Sequence, residues 1–142
     1  MSAQARVLIV DDDEVVRLSY QRSLQTARCD VEAVSNGEDA LRAVAQQSFD
    51  VLLLDLRMPG MDGMAVLKAV KQTSPKSEVI VITGYPTVES AKQAVQLGAY
   101  DYLAKPVGPA EVISATNGAL TQKTWALRKD HASPDTEATD HP

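Results

Sequence analysis

Five short apolar runs punctuate the chain: RVLIV at 6–10, DVEAV at 30–34, DVLLLD at 50–55, EVIVIT at 78–83 and YDYLA at 100–104. They are rich in Val and Ile, which suit a pleated strand. Three of the five lack clean polar–apolar alternation, which predicts strands covered on both faces. Between the runs the apolar spacing becomes helical. It puts Val16, Tyr20 and Leu24 on one face of 14–28, and Ala40, Leu41, Val44 and Ala45 on one face of 37–47. Met64, Leu67 and Val70 share a face of 63–72. Ser35 or Asn36 can cap the second helix. A fourth helix is predicted over 86–97, with Pro86 at its first position and Gly98 just past its end. A fifth begins near Pro109 and carries Val112, Ile113, Thr116 and Leu120.

Five β-α units in this order predict an open α/β sandwich, its parallel strands joined by right-handed helical crossovers. No internal repeat is visible. The segment HASPDTEATDHP lacks periodic apolar residues. Residues 1–124 are therefore read as one domain, and 125–142 as a polar, disordered tail or linker. Trp125 falls at that boundary and is read as a stray apolar residue on a frayed helix end. His131 and His141 have no ligand partners around them and receive no catalytic role.

Composition narrows the classes. A chain of 142 residues with 44% hydrophobic content can build one core, and 4% aromatics make that core aliphatic. The net charge is −5, with −3 of it in residues 129–142. No Lys/Arg cluster stands out, which argues against a nucleic-acid surface. Cys29 is alone, so an intramolecular disulfide and a Cys-rich metal site are excluded, as suits a reducing compartment. The run Val7–Val10 is too short for a signal peptide or a membrane span. The expectation is a cytoplasmic protein.

The conspicuous polar residues all follow strands. Asp11, Asp12 and Asp13 come after the first run, Asp55 ends the third, Thr83 ends the fourth, and Lys105–Pro106 follows the fifth. In an open parallel sheet these ends meet on one rim, where ligands bind. Carboxylates crowded there repel, and burial worsens the cost. A hard divalent cation relieves it, and an all-oxygen set suits Mg²⁺. With the Lys105 ammonium and the Thr83 hydroxyl, the group resembles a clamp for a phosphoryl group in transfer. A carboxylate such as Asp55 can accept that group as an aspartyl phosphate.

The segments VLIVDDDE, LLLDLRMPGMDG, VITGY and GAYDYLAKP, in this order and spacing, resemble the receiver domain of two-component response regulators, the CheY-like family. The resemblance spans residues 5 to about 122. The stretch GYPTVESAKQAVQLGAYDYLAKP is similar to receivers that precede AAA+ transcriptional activators. The resemblance implies a flavodoxin-like, doubly wound five-stranded parallel sheet of order 2-1-3-4-5 with five helices. It implies that Asp55 is the phosphoacceptor. Asp12 and Asp55 would bind Mg²⁺ directly, Asp11 through water, and the Arg57 carbonyl would complete the protein's share of the shell. Thr83 would contact the phosphoryl group and shift, Lys105 would pair with a phosphoryl oxygen, and Tyr102 would be the aromatic switch that turns inward. The Lys105–Pro106 bond would be cis. A sensor histidine kinase would be the partner, with no membrane contact. The fourth helix, fifth strand and fifth helix would form the output surface and a homodimer contact. Val107 departs from the Phe often found there in the family. Asp13 is an additional acid, suited to the start of the first helix.

Arg57 and Tyr85, two positions after Asp55 and Thr83, are expected to flank the pocket mouth and hinder hydrolytic water. A competing reading is a phosphatase of the haloacid-dehalogenase type, since DDDEV fits a loose D-x-D-x-V pattern. Its nucleophile would be Asp11, and the chain is short for such a core plus a cap. The complete acid, Thr and Lys set argues against a phosphate-independent scaffold. The expectation is a phosphoacceptor domain rather than a turnover enzyme.

Overall fold

The computed structural model describes residues 4–131, with side chains described as far as Thr124. The strands are β1 (Arg6–Val10), β2 (Asp30–Val34), β3 (Val51–Leu54), β4 (Glu78–Thr83) and β5 (Asp101–Ala104). The helices are α1 (Glu14–Thr26), α2 (Gly37–Gln46), α3 (Gly63–Thr73), α4 (Val88–Gln96) and α5 (Pro109–His131). The strands form one sheet of order β2-β1-β3-β4-β5, and every neighbouring pair is parallel.

The unbroken apolar runs have a simple cause: alternate residues enter two separate cores. Val7, Ile9, Val51, Leu53, Ile80 and Ile82 pack with Tyr20 and Leu24 of α1 and Val112 and Ala119 of α5. Leu8, Val10, Leu52, Leu54, Val79 and Val81 pack with buried residues of α2, α3 and α4, among them Ala40, Leu67 and Ala94. A strand sandwiched this way has no wet face, and each fully buried Leu or Ile contributes about 1.5–3 kcal/mol.

Register positions the rim. Val10 pairs with Leu54, so Asp11 and Asp55 follow on adjacent strands. Thr83 pairs with Ala104, so Lys105 comes one residue beyond that partner. The order reverses between β1 and β3, which opens a crevice at their C-terminal ends.

Several boundaries differ from expectation. β3 is shorter than 50–55, although the Asp55 N–H still donates to the Val10 carbonyl at 2.9 Å. On α2, Ala43 is buried and Ala45 exposed, because the Asn36 cap sets a stripe through Gly37, Ala40, Ala43 and Val44. Pro86 is not the first residue of α4. Thr87 is the N-cap, in a capping box with Ser90, so Pro86 lies outside the helix. Gly98 does end α4, with φ +97. The 125–131 stretch, expected to lack structure, has helical backbone continuous with α5. After Gly118 no Gly or Pro interrupts the chain before residue 134. Trp125 and His131 have no described side chains, and His141 lies outside the described residues. Among the described residues, no helix is long and apolar enough to cross a membrane.

Candidate functional site

Asp11 and Asp55 are buried at the ends of β1 and β3, with 2% and 5% of their surface exposed. Asp11 Oδ1 accepts the Asp13 N–H at 2.9 Å, which folds the β1–α1 turn back on the strand. Its Oδ2 accepts from Lys105 Nζ at 2.8 Å. The same ammonium lies 3.5 Å from Asp55 Oδ2, while Asp55 Oδ1 accepts the Arg57 N–H at 3.2 Å. Asp12 is exposed, yet carboxylate oxygens of Asp11, Asp12 and Asp55 all come within 4.8 Å of one another. Thr83 is buried, and its hydroxyl accepts the Tyr85 N–H at 3.1 Å. The Lys105–Pro106 bond is cis, and the Lys105 N–H donates to the Thr83 carbonyl at 2.8 Å.

Local sequence explains these placements. Asp13 is the N-cap of α1, its Oδ1 accepting the Val15 and Val16 N–H groups, so the third acid serves the helix start. Asp62 caps α3, and Gly63 lets that helix close tightly on the segment after Asp55. A Cβ at Gly63 would lie 2.4 Å from Leu56 Cα and 2.7 Å from its carbonyl oxygen.

Burial pushes the Asp55 carboxyl above its ordinary pKa. The Arg57 N–H opposes this, Asp11 adds to it, and Lys105 opposes it. Burial would lower Lys105, but Asp11 and Asp55 hold its ammonium above the ordinary value. Tyr20, behind Lys105, is pushed up to about 12, chiefly by burial, and stays a neutral phenol. One ammonium thus serves two buried acids while a third carboxylate stands beside them. This all-oxygen set could hold a hard metal ion, and a cation would relieve the charge that burial makes costly.

Arg57 and Tyr85 stack on one another: the guanidinium lies 4.3 Å from the ring centroid. Both residues line one cavity with Thr83, Asp62 and Met64. Tyr102 sits apart from the acids. Its hydroxyl accepts the Thr87 N–H at 3.2 Å and bonds the Ser90 hydroxyl, so the ring is tied to the start of α4. The parts played by Thr87 and Ser90 are absent from the sequence reading, although T-x-x-S before a helical stretch was a legible cap. Arg17, which donates from Nη1 to the Asp11 carbonyl at 2.9 Å, is absent as well.

The sheet order and the acid-lined rim define a CheY-like α/β domain. Residues 7–117 match the response regulator receiver domain, and the chain belongs to that family. It is 41% identical over 115 residues to the DNA-binding transcriptional regulator NtrC of Escherichia coli (strain K12), a match covering 81% of this chain and 24% of that protein. It is 33% identical over 127 residues to the C4-dicarboxylate transport transcriptional regulatory protein DctD of Rhizobium meliloti (strain 1021), covering 89% of this chain and 28% of DctD. The chain thus spans about a quarter of the length of these relatives. A CheY-like receiver domain from Methanospirillum hungatei superposes with a TM-score of 0.85 at 27% identity, covering 87% of this chain and 99% of that one. Membership in a signalling family replaces the phosphatase reading.

Proposed function

We propose that this domain is the phosphoacceptor switch of a two-component system. A partner sensor histidine kinase supplies phosphohistidine, and Asp55 accepts its phosphoryl group. An Asp55 carboxylate oxygen attacks phosphorus, the P–N bond breaks, and the imidazole nitrogen leaves with the electron pair. The observation that carries this reading is Lys105 Nζ, set 2.8 Å from Asp11 and 3.5 Å from Asp55 on the rim that also holds Thr83. It is a fixed positive charge beside a nucleophilic acid.

Asp12, Asp55 and the Arg57 carbonyl would hold Mg²⁺, with Asp11 as a further, water-mediated partner. The chemistry the ion would supply there is neutralisation of charge on the transferring oxygens. Lys105 pairs with a phosphoryl oxygen. Thr83 exchanges its bond to the Tyr85 N–H for one to the phosphoryl group. The domain catalyses its own phosphorylation and slow dephosphorylation only.

Phosphorylation shifts an equilibrium between two conformations. Tyr102 leaves Thr87 and Ser90 and turns inward as Thr83 moves. The α4-β5-α5 surface changes and serves as the output and homodimer face, where Val88 and Val95 already expose most of their side chains. The chain works in the cytoplasm without contacting nucleic acid or membrane.

Mass spectrometry after treatment with acetyl phosphate and Mg²⁺ tests the reading. The wild type is expected to gain one phosphoryl adduct and Asp55→Asn none. An unchanged adduct in the variant would reject Asp55 as acceptor.

A further inference from the structure

The β1–α1 turn carries two of the three clustered acids, and they are held very differently. Asp11 is fixed at three points: Oδ1 by the Asp13 N–H, Oδ2 by Lys105, and its backbone carbonyl by Arg17 Nη1 at 2.9 Å. Asp12 is exposed, and among the described residues no hydrogen bond or ion pair fixes its side chain. Its approach to Asp55 therefore depends on the path of the backbone through the turn. Asp13 ties that path to α1 at one end, and the Asp11 N–H ties it to the Val34 carbonyl at the other. Arg17 is the side chain that reaches back from α1 across the turn to the carbonyl joining Asp11 to Asp12.

We infer that Arg17 is a positioning residue for the cation site: its hydrogen bond to the Asp11 carbonyl sets the turn so that the Asp12 carboxylate faces Asp55. The inference rests on the Mg²⁺ reading above. Arg17 touches none of the carboxylate oxygens and acts through the backbone. Partners of this kind typically set metal affinity about 10–100-fold when removed. Its positive charge acts in the opposite sense, because a guanidinium near the site repels a cation. The two roles therefore predict opposite outcomes on truncation. If orientation governs, loss of Arg17 weakens Mg²⁺ binding. If charge governs, loss tightens it, and the change fades as salt screens it.

The test is Mg²⁺ titration of the unphosphorylated protein, followed by calorimetry and by amide NMR shifts of the β1–α1 turn, at low and at moderate ionic strength. Arg17→Ala is expected to bind Mg²⁺ about tenfold more weakly. Arg17→Lys, which keeps a donor and the charge, should recover most of the affinity. Thermal midpoints of the Mg²⁺-free proteins control for general destabilisation, and the Lys variant keeps the question open if the Ala variant folds poorly. Unchanged or tighter binding in Arg17→Ala, or no recovery in Arg17→Lys, overturns the assignment of Arg17 alone. Failure of the wild type to bind Mg²⁺ overturns the metal reading and this inference with it.

Discussion

The Arg57 guanidinium stacks 4.3 Å from the centre of the Tyr85 ring, joining the segment after β3 to the segment after β4. Such a pair is worth about 0.5–1 kcal/mol where it is exposed, and Tyr85 is 65% exposed. Its importance lies in where it sits: Arg57 follows Asp55 by two residues, and both side chains line a cavity with Thr83. Replacing both residues by Ala should speed loss of phosphate from the phosphorylated protein by about tenfold, the effect of about 1.4 kcal/mol on a barrier. Following the phosphoprotein by mass after removal of donor checks this, and an unchanged lifetime would remove the shielding role.

Asp55 is costly to the fold. Burial raises its pKa, so the folded state binds its proton more tightly than the unfolded chain does. The charged form therefore opposes folding at neutral pH, and the penalty disappears as pH falls through the folded pKa. In Mg²⁺-free buffer at pH 7, Asp55→Asn should raise the thermal midpoint by about 2–5 °C. The gain should shrink in acid. Added Mg²⁺ should stabilise the wild type and not the variant, which scanning calorimetry with and without the ion can read.

Asp50 behaves oppositely. Burial would raise its carboxyl, but the Arg6 N–H at 2.8 Å and Lys123 Nζ at 2.6 Å prevail and hold it below the ordinary value. Such a depressed acid contributes stability above its unfolded pKa, which is lost as pH falls through the folded one. Asp50→Asn should therefore cost about 1–2 kcal/mol at pH 7, after allowance for partial exposure. The difference should narrow below about pH 4, near the unfolded value. Urea midpoints at both pH values provide the measurement.

Two glycines beside the site should respond differently to a methyl group. At Gly63 a Cβ would overlap the Leu56 backbone, so Gly63→Ala should destabilise by about 1–3 kcal/mol and weaken Mg²⁺ binding. At Gly84 the nearest atom is Lys105 Cδ at 3.9 Å, so Gly84→Ala should keep the fold. Denaturant melts of both variants test the contrast.

The architecture was legible because β1, β3 and β4 are unbroken aliphatic runs and the helices between them, α4 excepted, carry apolar residues at helical spacing. Parallel pairing then brings Asp11, Asp55, Thr83 and Lys105 to one rim regardless of fine boundaries. Details set by side-chain hydrogen bonds were harder to read. Pro86 looked like a helix start because Pro suits that position, but the Thr87–Ser90 box makes the helix begin two residues later, at Val88. Ala45 and Ala43 are the same residue type, and only the phase set by Asn36 separates them. The Arg17 and Tyr102 contacts join residues six and fifteen positions from their partners, beyond any pattern of helical or strand spacing.

α5 also has a mechanical consequence. It begins just past Lys105, runs down the sheet, and meets Asp50 through Lys123. About 12 Å of helix follows that contact. Val112 and Ala119 bury the helix in the core above that contact, so Lys123 and Asp50 fasten α5 at the end of the sheet opposite the acid-lined rim.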